Sequence, residues 1–188
     1  MSFTRKVIIQ GKNGSDVADI AIDSITHILS AIESEHGTIH DGKHFYINSY
    51  VTLNNGETLI LALTTPASKK IHFVYEVAST GEIIIEFYEG SNISGGTSIT
   101  PVNNNRNSSV VSEITVVKDP TVNSYGTKIG ELKWGTSGTK FIPTIGGGFS
   151  RTNEVILKIS TTYIVKISSG TDGNIINYIG SWYEWEDL

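Results

Sequence analysis

Three histidines spaced by four residues are the first feature of the sequence that could do chemistry. On a helix, His36, His40 and His44 would stack on one face, where imidazole rings can bind a metal ion. Gly37 and Gly42 interrupt that pattern, and in a strand and loop segment the spacing has no coordinating geometry of its own. A metal site and histidines without a metal both remain possible from the sequence. We favour the second interpretation, in which the histidines are solvated or lie at an interface.

A group of glutamates is the second candidate for chemistry. Glu76, Glu82, Glu86 and Glu89 lie close together in the sequence, and Glu82 and Glu86 share a predicted strand face. A glycosidase needs two carboxylates about 5–10 Å apart across a cleft, so the pattern is compatible with hydrolysis. It is equally typical of the solvent face of a half-buried sheet. No substrate-shaping residues stand out, and we expect neither enzymatic activity nor a cofactor.

Aromatic residues form the third candidate group. Trp182, Tyr183 and Trp185, together with Trp134, could stack against a sugar or anchor a protein interface. Alternation along a strand sends neighbouring side chains to opposite faces, so at least one of these rings is expected in the core.

These residues lie on a series of short, alternating strands separated by turn signals. His44–Leu53 and Thr58–Thr64 flank Asn54-Asn55-Gly56, and the stretches 71–77 and 82–89 are predicted to form a hairpin across 79–81. A strand at 112–118 follows. The final pair is the stretch 154–168, as two short strands or one bent strand, and Asn174–Trp185, and it is predicted to form a hairpin about 168–173. The turn-rich stretches 91–109 and 123–151 are predicted to be long excursions.

This pattern predicts an all-β protein, a jelly-roll-like antiparallel β-sandwich at 41–188 with an extended N-terminal arm at 1–40. A composition of 19 Gly, 38% hydrophobic and 18% charged residues suits strands joined by frequent turns. The residues on one face of each strand should form the core: Leu59, Leu61, Leu63, Phe73, Ile83, Ile85, Phe87, Val116, Ile156, Val165 and Ile167.

Composition also excludes several classes of function. The net charge is −5 and basic residues do not cluster, so phosphate neutralisation cannot drive binding to nucleic acid. There are no cysteines, which excludes disulfides, thiolate zinc sites and thiol nucleophiles. No stretch approaches the roughly 20 apolar residues of a membrane span, and we expect a chain made in a cytoplasm that does not bind membranes.

Seven segments carry a resemblance to a known family. They include Asn103-Asn104-Asn105-Arg106-Asn107 and Ser181-Trp182-Tyr183-Glu184, and they occur in order at 35–45, 87–90, 103–109, 118–122, 151–158, 162–163 and 181–184. Together they resemble a family of tailed-bacteriophage virion structural proteins, capsid auxiliary or decoration proteins with a β-sandwich body. The resemblance covers most of the chain from about residue 17.

The resemblance implies a non-enzymatic protein located in the virion, whose partner is the major capsid protein or another virion protein. It makes the arm and the Asn-rich loop contact elements and, because the apolar arm needs burial, we predict a homo-oligomer, with a trimer favoured. The candidate interface residues are Ile20, Ile22, Ile25, Ile28, Leu29, His36, His40, Asn103, Asn104, Asn105 and Arg106. The alternative is a carbohydrate- or receptor-binding β-sandwich at a phage fibre or tail.

Overall fold

The computed structural model describes residues 34–136 and 154–185, together with a short strand pair near the N-terminus. The chain divides into two compact units, Met1–Gly37 and Thr38–Leu188. In the first, β1 (Ile9–Gln10) pairs antiparallel with β2 (Val17–Ala18). The candidate interface residues of the arm, at positions 20, 22, 25, 28 and 29, lie outside the described residues.

A short helix precedes the sandwich. Helix α1 (Ser34–His40) passes through Gly37 and ends just before Gly42, which adopts a positive φ of 71°. Gly42 and Lys43 donate backbone hydrogen bonds to the last turn, to Ile39 and Thr38 respectively. The prediction that Gly37 interrupts a helix here was therefore wrong, whereas Gly42 ends it, because a left-handed glycine is the usual end of a helix.

Thirteen strands follow α1 among the described residues. They are β3 (His44–Leu53), β4 (Thr58–Thr64), β5 (Lys70–Ser79), β6 (Ile83–Glu89), β7 (Asn92–Ser94), β8 (Thr97–Ile99), β9 (Val102–Asn103), β10 (Thr115–Lys118), β11 (Thr121–Ser124), β12 (Thr127–Trp134), β13 (Val155–Leu157), β14 (Thr162–Ser169) and β15 (Asn174–Trp185).

The strands form two main antiparallel sheets, with the order β12-β6-β14-β4-β10-β8 in the six-stranded sheet and β13-β5-β15-β3-β9 in the five-stranded sheet. If β3 to β6 and β12 to β15 are numbered one to eight, the sheets read five-four-seven-two and six-three-eight-one. This is the strand order of a jelly roll, so the predicted all-β sandwich is confirmed. The connection between β6 and β12 supplies the remaining strands, including the ribbon β7–β11.

Three tight turns are corners between the sheets, and at two of them the sequence predicted hairpins. The turn at 54–56 leads from β3 in one sheet to β4 in the other, and the turns at 80–82 and 170–173 do the same for β5–β6 and β14–β15. The predicted hairpins were therefore wrong although their turns are correctly placed. Alternation buries the same side chains whether the next strand pairs with the last one or crosses to the opposite sheet.

Both predicted excursions contain strands. Thr127–Trp134 pairs with β6 along its whole length, with a register shift between Lys128 and Gly130. This bulge breaks the alternation of apolar side chains, and the pattern in the sequence was therefore too weak to indicate a strand. The stretch 91–109, for which the sequence predicted at most a short strand around 97–100, contains three strands of two or three residues, and one of them, β8, lies at the predicted place.

The core lies between the two sheets and contains nearly all the residues predicted for it, such as Leu59, Phe73 and Ile167. Ile156 is the exception, because its side chain is 58% exposed while Leu157 is buried. The phase of β13 was therefore wrong by one residue, as is easy for a strand of three residues.

The assignment of Leu157 to the inward face of β13 and of Ile156 to the outward face predicts how much each residue contributes to stability. Leu157→Ala should lower the free energy of unfolding by about 2–5 kcal/mol because it opens a cavity in the core, whereas Ile156→Thr should change it by less than about 0.5 kcal/mol. Urea denaturation of the two variants measures both values. Equal losses would contradict the assigned phase.

Candidate interaction surface

The outer face of the five-stranded sheet is the candidate functional site. Every second residue of β15 points outward there, from Ile175 through Ile179 to Trp185, and those three side chains are exposed. The inward set, including Ile176, Tyr178 and Trp182, packs in the core. Because β15 lies in the middle of its sheet, its outward residues form the central line of this face, which we call the open face.

One end of the open face is centred on Tyr50, which is 68% exposed. Its partner across the sheet is Asn177, and the next outward residues on that strand, Ile175 and Ile179, are its diagonal neighbours. Three large exposed side chains therefore adjoin one another with an amide between them.

The other end of the open face is a set of stacked rings. Tyr183 stacks on His72 with centroids 4.4 Å apart and lies 6.4 Å from the ring of His44. Its hydroxyl lies 2.8 Å from His72 Nδ1 and donates a hydrogen bond to Glu154 Oε1 at 2.9 Å, and His72 Nδ1 also contacts Glu154 Oε1. These bonds tie the residue before β13 to β5 and β15, so they hold this end of the face rigid and flat.

The outer face of the six-stranded sheet is different, because its charges are paired and part of it is covered. Lys166 and Lys128 bind Glu86 at 2.8 and 3.2 Å, and Lys133 binds Glu82 at 3.1 Å. The ring of Tyr125, from the connection before β12, packs at a tilt against Tyr88, with the centroids 4.8 Å apart. Beside Tyr88, the outward-facing Ile164 is completely buried. We call this surface the closed face.

Of the four glutamates considered for glycoside hydrolysis, the two that share a predicted strand face, Glu82 and Glu86, lie on the closed face, whereas Glu76 lies on the open face. The hydrogen bond from Lys166 lowers the pKa of Glu86 most, and those from Tyr88 and Lys128 add to the effect, so that the pKa falls to about 2 despite partial burial. A carboxyl group with this pKa stays ionised and cannot act as a general acid near neutral pH. Glu82 and Glu86 therefore serve as ion-pair partners in this arrangement.

The lowered pKa of Glu86 predicts a pH dependence of stability. A carboxylate whose pKa is lower in the folded chain stabilises the fold above its unfolded pKa of about 4.3, and loses this contribution as the pH falls towards 2. Glu86→Gln should therefore cost about 2 kcal/mol at pH 7 and much less at pH 2.5. Urea denaturation at both pH values tests this, and a cost independent of pH would contradict it.

The Asn-rich loop uses its amides inside the chain. Asn103 is buried, its Nδ2 donates to Gly42 O at 2.8 Å and Val110 O at 2.9 Å, and its Oδ1 accepts from Asn105 N. Asn105 Nδ2 in turn donates to His40 O at 3.0 Å, and Asn104 N donates to His44 O. The structure gives Asn103 and Asn105 the role of shaping the loop. Arg106, by contrast, is exposed.

The histidines do not form a metal site in the part of the chain that the structure describes. His36 and His40 are exposed on α1, while His44 is buried on β3 and stacks near Tyr183. No group of three or more potential ligands that could hold a metal ion occurs among the described residues.

The four candidate aromatics do not form one platform. Trp182 is in the core, as alternation required for at least one of them, and its Nε1 donates to Ser112 Oγ at 3.2 Å. Trp134 is half-buried between the sheets, Tyr183 belongs to the ring stack, and Trp185 is exposed. The residues that sequence reasoning missed are Tyr50, Ile175 and Ile179. Apolar residues on both faces of the twelve-residue β15 were the available signal.

No protein-family model matches the chain, and neither the search of curated proteins nor that of solved structures found a match. Among the described residues, no helix has the length and apolar character needed to cross a membrane.

Proposed function

We propose that the protein is a non-enzymatic structural protein of a tailed-phage particle, a capsid decoration or auxiliary protein that binds the assembled shell. The open face is the observation that carries the proposal. It presents Tyr50, Ile156, Ile175, Ile179 and Trp185 on one side of a rigid sheet. Exposed aromatic and aliphatic side chains with few charges are typical of the centre of a protein interface.

The contrast between the two outer faces supports association rather than catalysis. The closed face satisfies its charges within the chain, and the stacked rings of the open face are held by their own hydrogen bonds. A rigid body with one open apolar face can be repeated many times around a particle, where weak contacts add to a high overall affinity. The predicted homo-oligomer and the location in the virion belong to this proposal, whereas the favoured threefold arrangement stays a prediction that a measured mass of three chains would confirm.

Purified particles test the proposal. Mass spectrometry should find the protein in virions, and particles stripped of it should bind the added protein again. Ile179→Glu places a charge at the middle of the open face and should weaken rebinding at least about tenfold, whether the face contacts the shell itself or joins copies that bind the shell together. The matched control is Thr58→Glu, the same charge at an exposed position on the outer side of β4, which should rebind normally. Absence of the protein from virions would refute the proposal.

A second candidate function is carbohydrate binding at a fibre or tail, and the surroundings of Tyr50 favour it. Its exposed ring adjoins Asn177 across the sheet, and Asn48 is the next outward residue on β3. An aromatic ring flanked by amides can stack on a sugar and bind its hydroxyls. A glycan array separates the candidates. A specific signal that is lost in Tyr50→Ala but kept in Thr58→Glu would favour sugar binding.

A further inference from the structure

We propose that the open face binds the same face of a second copy, in a dimer with twofold symmetry. The inference rests on the proposed function only because that proposal assigns the open face to association. It names a second copy of the chain as the molecule that covers the face, so that the dimer would contact the shell through its other surfaces. In a twofold interface the same surface serves both partners, so the face must be complementary to itself. The residue rows across β5 and β15 meet that condition.

Four outward-facing rows cross the centre of the open face. In order they are Lys70 with Trp185, His72 with Tyr183, Val74 with Ser181, and Glu76 with Ile179. Consider a twofold axis that lies in the plane of the interface, perpendicular to the strands, between the second and third rows. It places each strand over the same strand of the partner and reverses the order of the rows. The first row of one copy then lies over the fourth row of the other.

This arrangement matches charge with charge and apolar surface with apolar surface. Lys70 faces the partner's Glu76, and the symmetry forms the same pair a second time. Trp185 faces the partner's Ile179, so two of the exposed apolar side chains cover each other. The flat His72–Tyr183 stack lies over the small side chains of the partner's Val74 and Ser181, where there is room for the rings.

The size of the face is sufficient for a weak dimer. The four rows occupy about 27 Å along β15, because alternate residues lie about 6.8 Å apart, and the four strands β13, β5, β15 and β3 span about 14 Å, which gives about 400 Å² for each copy. The total of about 800 Å² is below the lower limit for a stable specific interface and is in the range of weak, transient ones. We therefore expect association that depends on protein concentration.

A charge exchange tests the geometry directly. Sedimentation equilibrium at up to about 100 µM should show wild-type protein approaching twice the 20.4 kDa mass of the chain. Lys70→Glu or Glu76→Lys alone places two like-charged pairs in the interface and should weaken association at least about tenfold. The double variant restores both pairs with reversed sign and should recover most of the affinity. Lys133→Glu, at an exposed lysine of the closed face, is the matched control and should behave as wild type.

Several results would overturn the dimer. They are a monomer at the highest concentration, a limiting mass of three chains, and a double variant as weak as the single ones. Circular dichroism of each variant separates lost association from lost folding. The result is also separate from the proposed function. A monomeric protein that is present in virions refutes the dimer alone, while a dimer absent from virions refutes the structural role alone.

Discussion

Replacing Asn174 with alanine is expected to lower the free energy of unfolding by about 3 kcal/mol, because the buried amide joins two corners of the sandwich. Its Oδ1 accepts hydrogen bonds from Thr80 N at 3.1 Å and Thr80 Oγ1 at 3.2 Å. Its Nδ2 donates to Glu82 O and Ser169 Oγ, both at 3.1 Å. Alanine leaves these groups without their partner at a place where water has little access.

The third corner is attached to the same group of loops. Asn55 N donates to Asp172 Oδ1 at 2.9 Å, and backbone bonds join Gly56 to Ser169 and Ser169 to Glu57. Loosening of the corner at 170–173 is therefore expected to reach the corner at 54–56, and amide hydrogen exchange should increase at both in Asn174→Ala.

Two variants sharpen the test of Asn174. Asn177→Ala, an exposed asparagine on the same strand, should change the free energy of unfolding by less than about 0.5 kcal/mol. Asn174→Asp keeps an acceptor for Thr80 but loses the donor to Glu82 O, and it should remain less stable than the wild type. Similar urea midpoints for Asn174→Ala and Asn177→Ala would show that the corners hold together without this amide.

The second large effect is expected for Glu184→Ala, at the other end of β15, with a loss of about 3–4 kcal/mol. The side chain of Glu184 is only 1% exposed. Its Oε1 accepts from Ser112 Oγ at 2.7 Å and Glu113 N at 2.9 Å, and its Oε2 lies 3.3 Å from Lys69 Nζ. Alanine removes the acceptor that fixes the segment leading into β10.

Lys69 allows the ionic part of this effect to be separated from the hydrogen bonds. Burial lowers the pKa of Lys69, but hydrogen bonds and charge interactions with Glu113 and Glu184 outweigh it, so the pKa is raised and the amine stays charged. Glu184→Gln keeps an acceptor oxygen and should cost less than Glu184→Ala. The control Glu113→Gln changes an exposed partner of Lys69 and should cost less than about 1 kcal/mol. Equal costs at 184 and 113 in thermal or urea unfolding would contradict the special role of Glu184.

The sequence was sufficient to predict most of the long strands and their inward faces, but not the way in which they pair. For Asn174–Trp185 the boundaries could be read from the turn at 168–173 and from Trp185, and the structure reproduces them. The pairing could not be predicted, because the alternation in β14 and β15 and the turn between them look the same in a hairpin and in a corner between two sheets. Among their partners, β4 and β3 lie about 100 or more residues earlier in the chain. Only the shape of the complete sandwich selects them.

The open face was harder to predict than the core for a related reason. Tyr50 and Ile179 are ordinary surface residues in the sequence, and they become neighbours only through the register of β3 against β15. For the Asn-rich loop the sequence predicted an interface, although asparagine is as common in turns, where its side chain bonds to the backbone, as at exposed contacts. The hydrogen bonds from the side chains of Asn103 and Asn105 to backbone carbonyls show that these two residues shape the loop.

The central positions of β14 and β15 have a consequence for the order of folding. β14 lies between β6 and β4, and β15 lies between β5 and β3, so each sheet is divided until the last two strands are in place. During synthesis the ribosome releases these strands after all their partners. Neither sheet can close before its central strand has been made, and the sandwich must form late, in a step dominated by contacts between distant parts of the sequence. Such topologies fold in milliseconds to seconds, and meanwhile the edges of β4 and β6 are open to other chains.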